Sequence, residues 1–463
     1  MYVGQPIKRR EDVKYLTGSG QFVDDVSLSE DIAHAAYVRS PHPHAKITNI
    51  STEAAQAMPG VLAVLTGKNW TDSGYGEAES VWPVKDMSGE PSRTVNRPFL
   101  AIDGVVRYVG ECVAMVVAED RYSALDAAEA VEVEYEALPA NVVTAKALDA
   151  DTPLVHPEFG TNMVLETTHG DKDATEAAFA QAAHITECLV PTNRVTASPI
   201  EPRSYLGHYD ARKDYYTLWA TTQSPHLERK HLAVSLQVPE HKCRVIAPDV
   251  GGGFGMKLYH YPEEPTVLWA SKIVGRPVRW TSTRSEALVS DTHARDHYTV
   301  GRIAFDGDGK ILAMSFETLG AFGAYESQFQ ASICNAYHYC LLSCGYDIAA
   351  IYTHVKGVYT HTTPVDAYRG SGRPEATFVN ERLLENGARE MGIDVVDIRR
   401  KNLLSAESFP YPTPVGRTYD SGDPPALFNK LLEMADYFAL RKEQVKLREN
   451  GILMGIGIAC FLD

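Results

Sequence analysis

The chain has 463 residues, 44% of them hydrophobic and 22% charged, with a formal net charge of −16. That length exceeds one compact core and that composition excludes bulk disorder, so two or more globular units are expected. The acidic balance excludes general nucleic-acid binding, which needs a basic face.

Residues 1–15 form an arm without a secretory apolar stretch, so a cytoplasmic location is expected. From 16 to 145, strand-like and helical runs alternate. "IAHAAYVRS" and "VLAVLTG" read as strands, with "STEAAQAMPG" between them as a short helix capped by Ser51 and stopped by Gly60. "ECVAMVVAED" is an apolar strand, and "RYSALDAAEAVEVEYEAL" a helix that runs into another strand. The stretch 146–181 is rich in Pro, Gly and acid, is weakly periodic, and reads as a linker.

From 182 to 463, strands such as "HITECLVP", "YYTLWATTQ" and "KCRVIAPDV" are separated by helices such as "SPHLERKHLAVSLQ" and "EEPTVLWASKIVG". "DGDGK" turns a hairpin. "ATFVNERLLENGAREMG" is an amphipathic helix with Phe378, Val379, Leu383, Leu384 and Ala388 on one side. The closing "MGIGIACFLD" alternates like a strand, and its unpaired edge calls for a removed remainder or another polypeptide. The apolar run at 451–462 is too short to span a bilayer. The fold class is therefore α+β: an α/β unit, then a mixed α/β unit.

Seven scattered cysteines without a C-x-x-C spacing argue against a disulfide framework, a zinc ribbon or an iron–sulfur site in this chain alone. Cys340 and Cys344, at helical spacing, read as two buried thiols. His42 with His44, and His293 with His297 at i, i+4, lack the further convergent ligands a metal needs and read as turn or surface residues.

Three segments carry chemistry. "PDVGGGFGMK" at 248–257 bares its backbone, which requires positive φ or a close approach by something. Met256 stands where both the dinucleotide and the P-loop patterns need glycine, and Leu258 where the P-loop needs a hydroxyl. A tight turn between crossing strands explains the run equally well. In "PVDAYRGSGRPE" at 364–375, two glycines and Pro374 open a helix beside Arg369 and Arg373. That makes either an anion receptor or two surface ion pairs. In "ATTQSPH" at 220–226, Gln223 offers an amide donor and acceptor, while Ser224 as a helix cap explains the same stretch.

Taken in this order, "TQSPH", "GGGFGMK" and "AYRGSGRPEA" resemble the molybdenum-binding large subunit of the xanthine dehydrogenase/aldehyde oxidase family of molybdenum hydroxylases. "KYLTGSGQFVDD", "AAYVRSPHPHAKI" and "GVVRYVGECVAMVVAED" are similar to that family's α/β hammerhead domain. The resemblance implies a hammerhead domain over 16–145 and a first molybdopterin-binding domain over 182–463, incomplete at its C-terminal end. It implies a molybdenum–molybdopterin cofactor, often the cytosine dinucleotide in bacteria. Gln223, Gly252, Gly253, Phe254, Gly255, Arg369 and Gly370 match the family's cofactor-lining positions. There Gln223 donates to an oxo ligand, Phe254 sits beside the metal, and side chains at the glycines would collide with the bound group.

The same resemblance implies hydroxylation of an aldehyde or N-heteroaromatic carbon with water-derived oxygen. Electrons would pass to a small [2Fe-2S] subunit and a medium FAD-binding subunit. The family's catalytic Glu falls beyond Asp463, so one alternative is a non-catalytic, cofactor-holding half-subunit, split or truncated and inactive without a C-terminal partner; the other is a carbon monoxide dehydrogenase-like member with a different substrate. Aerobic carbon monoxide dehydrogenases carry a cysteine where Gly370 stands, so CO oxidation is not expected. Purine oxidisers carry polar anchors where Leu258 and Tyr337 stand, and some relatives carry a stacking Phe at Ser371. These three residues are the expected substrate pocket.

Overall fold

The computed structural model describes residues 2–78, 84–102 and 104–462, with only the backbone described at 336 and 337. Seven strands form one mixed sheet in the spatial order 243–246, 215–220, 204–210, 278–281, 33–39, 112–118, 61–66. Ala33–Arg39 pairs parallel with Val278–Thr281, Ala33 opposite Val278, and antiparallel with Cys112–Ala118. Strands from the stretches 16–145 and 182–463 thus share one sheet. Cys112–Ala118 shows why, since it is buried along its whole length and so needs cover on both faces. Met115 and Val117 pack in the cluster of Leu268 and Trp269, while Val116 and Ala118 pack near Ala127 and Ala124 respectively.

A second sheet runs in the order 163–170, 350–359, 311–323, 297–305, 184–192. Its edge strand Met163–Gly170 and the helix Lys172–Ala180 both fall in the stretch read as a linker. The strand escapes a periodicity search because its buried positions, Val164, Leu165 and Thr167, offer only two apolar residues. The helix is opened by Asp171, which accepts the Ala174 N–H.

Three helices position the functional loops: α1 (Pro225–Ser235), α2 (Glu263–Val274) and α3 (Arg373–Met391). Gly275 and Gly392, at φ 68° and 69°, end α2 and α3. Val379, Leu383, Leu384 and Ala388 of α3 are buried in the core under the second sheet. Phe378, expected on the same side, is 43% exposed; one residue from Val379, it lies about 100° around the helix.

Two further expectations need correction. Residues 452–462 form no β-ladder, although Ile456, Ile458 and Cys460 pack against the second core in alternation. Period-two burial without a hydrogen-bonding neighbour gives a strand's pattern and no strand. Cys340 and Cys344 are buried but sit in turns after a short π-helical segment, so they do not share a helical face. Among the described residues no helix is long and apolar enough to cross a membrane.

Candidate functional site

Strands Tyr215–Ala220 and Cys243–Ile246 are parallel neighbours, so the loops bearing Gln223 and the glycine run leave the sheet at the same end. Ligand sites in open α/β sheets form at the carboxyl ends of strands for this reason. The third segment follows strand Ala350–Tyr359 of the second sheet and enters α3. Hydrogen bonds bring the three together. The Gly255 N–H donates to Gln223 Oε1 at 2.8 Å, the Arg369 N–H to the Phe254 carbonyl at 2.8 Å, and the Tyr259 hydroxyl to the Ala367 carbonyl at 2.7 Å.

The bare backbone is crowded by the chain's own atoms, where the sequence reading placed a bound group. A Cβ at Gly251 would lie 2.4 Å from Glu201 Cβ, and one at Gly253 2.4 Å from Gln223 Oε1. At Gly255, φ is +98° and a Cβ would meet the Ala367 carbonyl at 2.9 Å; at Gly252, φ is +99° and the Phe254 ring stands at 2.9 Å. The glycines therefore let three loops touch.

The outward side is different. The N–H groups of Gly252, Gly253 and Phe254 donate to no protein acceptor among the described residues. Gln223 commits its Oε1 to Gly255, which leaves Nε2 as the free donor of an exposed side chain. Phe254, at φ 56°, is 42% exposed, and the Arg369 guanidinium stands 6.0 Å from its ring centre. Three successive free amides beside a free carboxamide and an arginine suit a group rich in oxygen acceptors. A molybdopterin with its oxo and phosphate oxygens fits that donor set.

Four residues that sequence reasoning passed over hold these loops. Lys257 is buried; its ammonium donates to the Glu201 carbonyl at 2.8 Å and to Glu201 Oε2 at 3.1 Å. Glu201 Oε2 also accepts the Gly251 N–H at 2.6 Å, so the pair closes the glycine loop into a ring. Burial pulls the Lys257 ammonium below its ordinary range, against the opposing charge of Glu201. Arg295 donates to the carbonyls of Tyr368 and Arg369, both at 2.8 Å.

Asp366 accepts N–H groups from Gln328, Phe329 and Ala367 at 2.7, 2.9 and 2.7 Å. Burial nevertheless pushes its carboxyl up to about 6. Nearby Glu326 is pushed up to about 8, by burial first and then by Asp366. The signals were faint: Lys257 closes the glycine motif itself, and Glu201 stands next to a proline in "SPIEPR".

The remaining expected residues are scattered around this face. Leu258 packs against the buried cluster of Met256, Tyr259 and Tyr261. Gly370 has φ +100°, with Pro374 Cγ 2.5 Å from a Cβ built there, and Ser371 follows at φ 46°. The side chain of Tyr337 and the Glu expected beyond Asp463 lie outside the described residues. His293 and His297 are not on a helix, since His297 opens a strand and burial holds the His293 imidazole down to about 4. A cavity of about 610 Å³ reaches Arg373 but none of residues 251–255, so the three loops form an exposed face outside it.

Comparison with known proteins gives two family matches. Residues 155–403 match the molybdopterin cofactor-binding domain, and residues 17–139 the a/b hammerhead domain of aldehyde oxidase and xanthine dehydrogenase. The chain is 36% identical to the carbon monoxide dehydrogenase large chain of Afipia carboxidovorans, over 98% of this chain and 57% of that one. It is 35% identical to the nicotine 6-hydroxylase large subunit of Paenarthrobacter nicotinovorans, over 100% of this chain and 55% of that one. The solved structure of quinoline 2-oxidoreductase from Pseudomonas putida 86 superposes with a TM-score of 0.90 at 33% identity, covering 97% of this chain and 56% of that one. The chain thus spans little more than half the length of these relatives.

Proposed function

Because the chain belongs to the xanthine dehydrogenase/aldehyde oxidase family of molybdenum hydroxylases, we propose that it holds the molybdopterin of an enzyme that hydroxylates an aldehyde or N-heteroaromatic carbon. The observation that carries this reading is the run of unpartnered amides at Gly252, Gly253 and Phe254 beside the free Nε2 of Gln223. When bound, the cofactor supplies the oxygen-transfer and electron-accepting chemistry.

This chain supplies orientation and charge. With the cofactor bound, Gln223 Nε2 would donate to one of its oxygens, the loop amides would hold it against the backbone, and Arg369 with Phe254 would border it. Donors fixed before the reaction stabilise developing negative charge without reorganisation. Leu258, Tyr337 and Ser371 form the substrate side. None carries the carboxylate or guanidinium that anchors a purine, which favours a less polar ring or an aldehyde. At Gly370 no thiolate is present to hold copper, which speaks against CO oxidation despite the 36% identity to a carbon monoxide dehydrogenase.

The carboxylates near the loops, Glu201 and Asp366, are committed to backbone amides. The family resemblance places the proton-accepting carboxylate in another part of the assembly, and on that reading the chain turns over only with it. A small [2Fe-2S] subunit and a medium FAD subunit carry the electrons away, and the pterin is the cytosine dinucleotide form. The test is elemental analysis of the purified full chain. Close to one molybdenum per chain is expected, falling sharply in Gln223→Ala; molybdenum absent from protein made by a cofactor-proficient host would overturn the reading.

A further inference from the structure

Behind the exposed loops lies a second cluster, closed to solvent. Glu228 of α1, His260 and Glu264 of α2 are 2%, 4% and 1% exposed. His260 Nδ1 stands 2.8 Å from Glu228 Oε1 and 3.1 Å from Glu264 Oε2, and one ligand atom from each residue lies within 4.8 Å of the others. The other ring nitrogen, Nε2, is fixed at 2.8 Å by Ser235 Oγ, and the Phe99 ring meets the imidazole edge-on at 5.2 Å. Glu264 Oε2 also accepts the Tyr261 N–H at 2.9 Å. The second oxygen of Glu228, held in the same cluster by the shortness of a carboxylate, is buried with no partner among the described residues.

Among the described residues neither carboxylate meets a lysine or arginine, and one imidazole faces two acids. Buried charged groups are retained where they are paired, hydrogen-bonded or bound to a metal.

We propose that Glu228, His260 and Glu264 bind a divalent first-row cation of the zinc–manganese class. Imidazole with two carboxylates is a ligand set these ions accept, Glu228 Oε2 completes a fourth position, and Ser235 on the remote nitrogen fixes the imidazole's orientation. Opening the separations of 2.8 and 3.1 Å to about 3.4 Å, the ligand spacing of a tetrahedron with bonds of about 2.1 Å, seats an ion between the three atoms. The site is structural. It fastens α1, which begins just after Gln223, to the segment that leaves the glycine loop, and so fixes the two loops from behind.

The test uses the full chain purified without chelator, with zinc, manganese, cobalt, nickel and molybdenum measured in one sample. Close to one of the first four metals in total per chain is expected, in fixed proportion whatever the molybdenum content. In Glu228→Gln, which keeps the side-chain volume, that metal is lost. Should the variant fail to fold, the wild-type chain stripped by chelator is read instead, and added Zn2+ raises its melting temperature. The inference is overturned if the wild-type chain holds none of the four metals and added Zn2+ leaves its melting temperature unchanged, or if a folded Glu228→Gln keeps the full content. Molybdenum missing while the second metal is present would count against the proposed function alone.

Discussion

The two loops that meet where the Arg369 N–H reaches the Phe254 carbonyl are held by different devices. Residues 251–257 form a ring closed on itself, with Lys257 at one end and Gly251 at the other both bonded to Glu201. Residues 366–372 are instead clamped from outside: Asp366 collects amides from the neighbouring segment, and Arg295 reaches across to two carbonyls. The closed loop can leave three amides free because its ends are secured elsewhere. The clamped loop pays for its shape with three successive left-handed residues, Gly370, Ser371 and Gly372.

The largest effect should come from opening the ring. Lys257→Met removes the cation from a buried pair and leaves Glu201 uncompensated, at a cost of about 3 kcal/mol. Urea denaturation reads that loss, and a loss below a third of it would mean that the ring is not held by this pair. Next comes Gly253→Ala, whose Cβ would sit 2.4 Å from Gln223 Oε1. Overpacking of this kind costs about 2 kcal/mol. It should appear chiefly as lost molybdenum content with the fold retained, and unchanged content would show that Gln223 yields freely.

Beside the clamped loop, buried Glu326 should carry a pH dependence. Folded Glu326 holds its proton up to about 8, against an ordinary value of 4.5. Between those values the folded state binds more protons than the unfolded one, so this group makes stability fall as pH rises, by up to about 1.4 kcal/mol per pH unit. Glu326→Gln should flatten the curve of melting temperature against pH in that window; an unchanged slope would assign the dependence elsewhere.

The smallest effect is at Ser371. At φ 46° a glycine relieves backbone strain but gives up chain entropy. Ser371→Gly should therefore change stability by no more than about 0.5 kcal/mol. Gly370→Ala is expected to be much worse, because Pro374 Cγ lies 2.5 Å from the added carbon. Equal melting temperatures for the two variants would erase the distinction between these neighbours.

The meeting of "TTQ", "GGGFG" and "AYRG" was legible in sequence because each motif carries its own glycines or amide at the mouth of a strand or helix. Their supports were not. Glu201, Arg295 and Asp366 are single charged residues in loops, and nothing local marks whom they meet. The shared sheet was hidden for a similar reason, since the pairing of Ala33 with Val278 joins distant stretches and leaves no periodic trace. The ending at 452–462 misled in the opposite direction. Alternating burial of Ile456, Ile458 and Cys460 is real, but alternation reports a covered face and is silent about backbone pairing.

One contact at the other end of the chain has a mechanical consequence. Asp249, two residues before the glycine run, is gripped by the amino-terminal arm: Lys14 pairs with it, the Tyr15 hydroxyl donates at 2.9 Å and the Gln21 N–H at 2.8 Å. Tension on that arm, from a surface tether or a fused carrier, is therefore delivered straight to Gly251. Immobilising the protein through its first residues would disturb the very backbone an experimenter hoped to leave at rest.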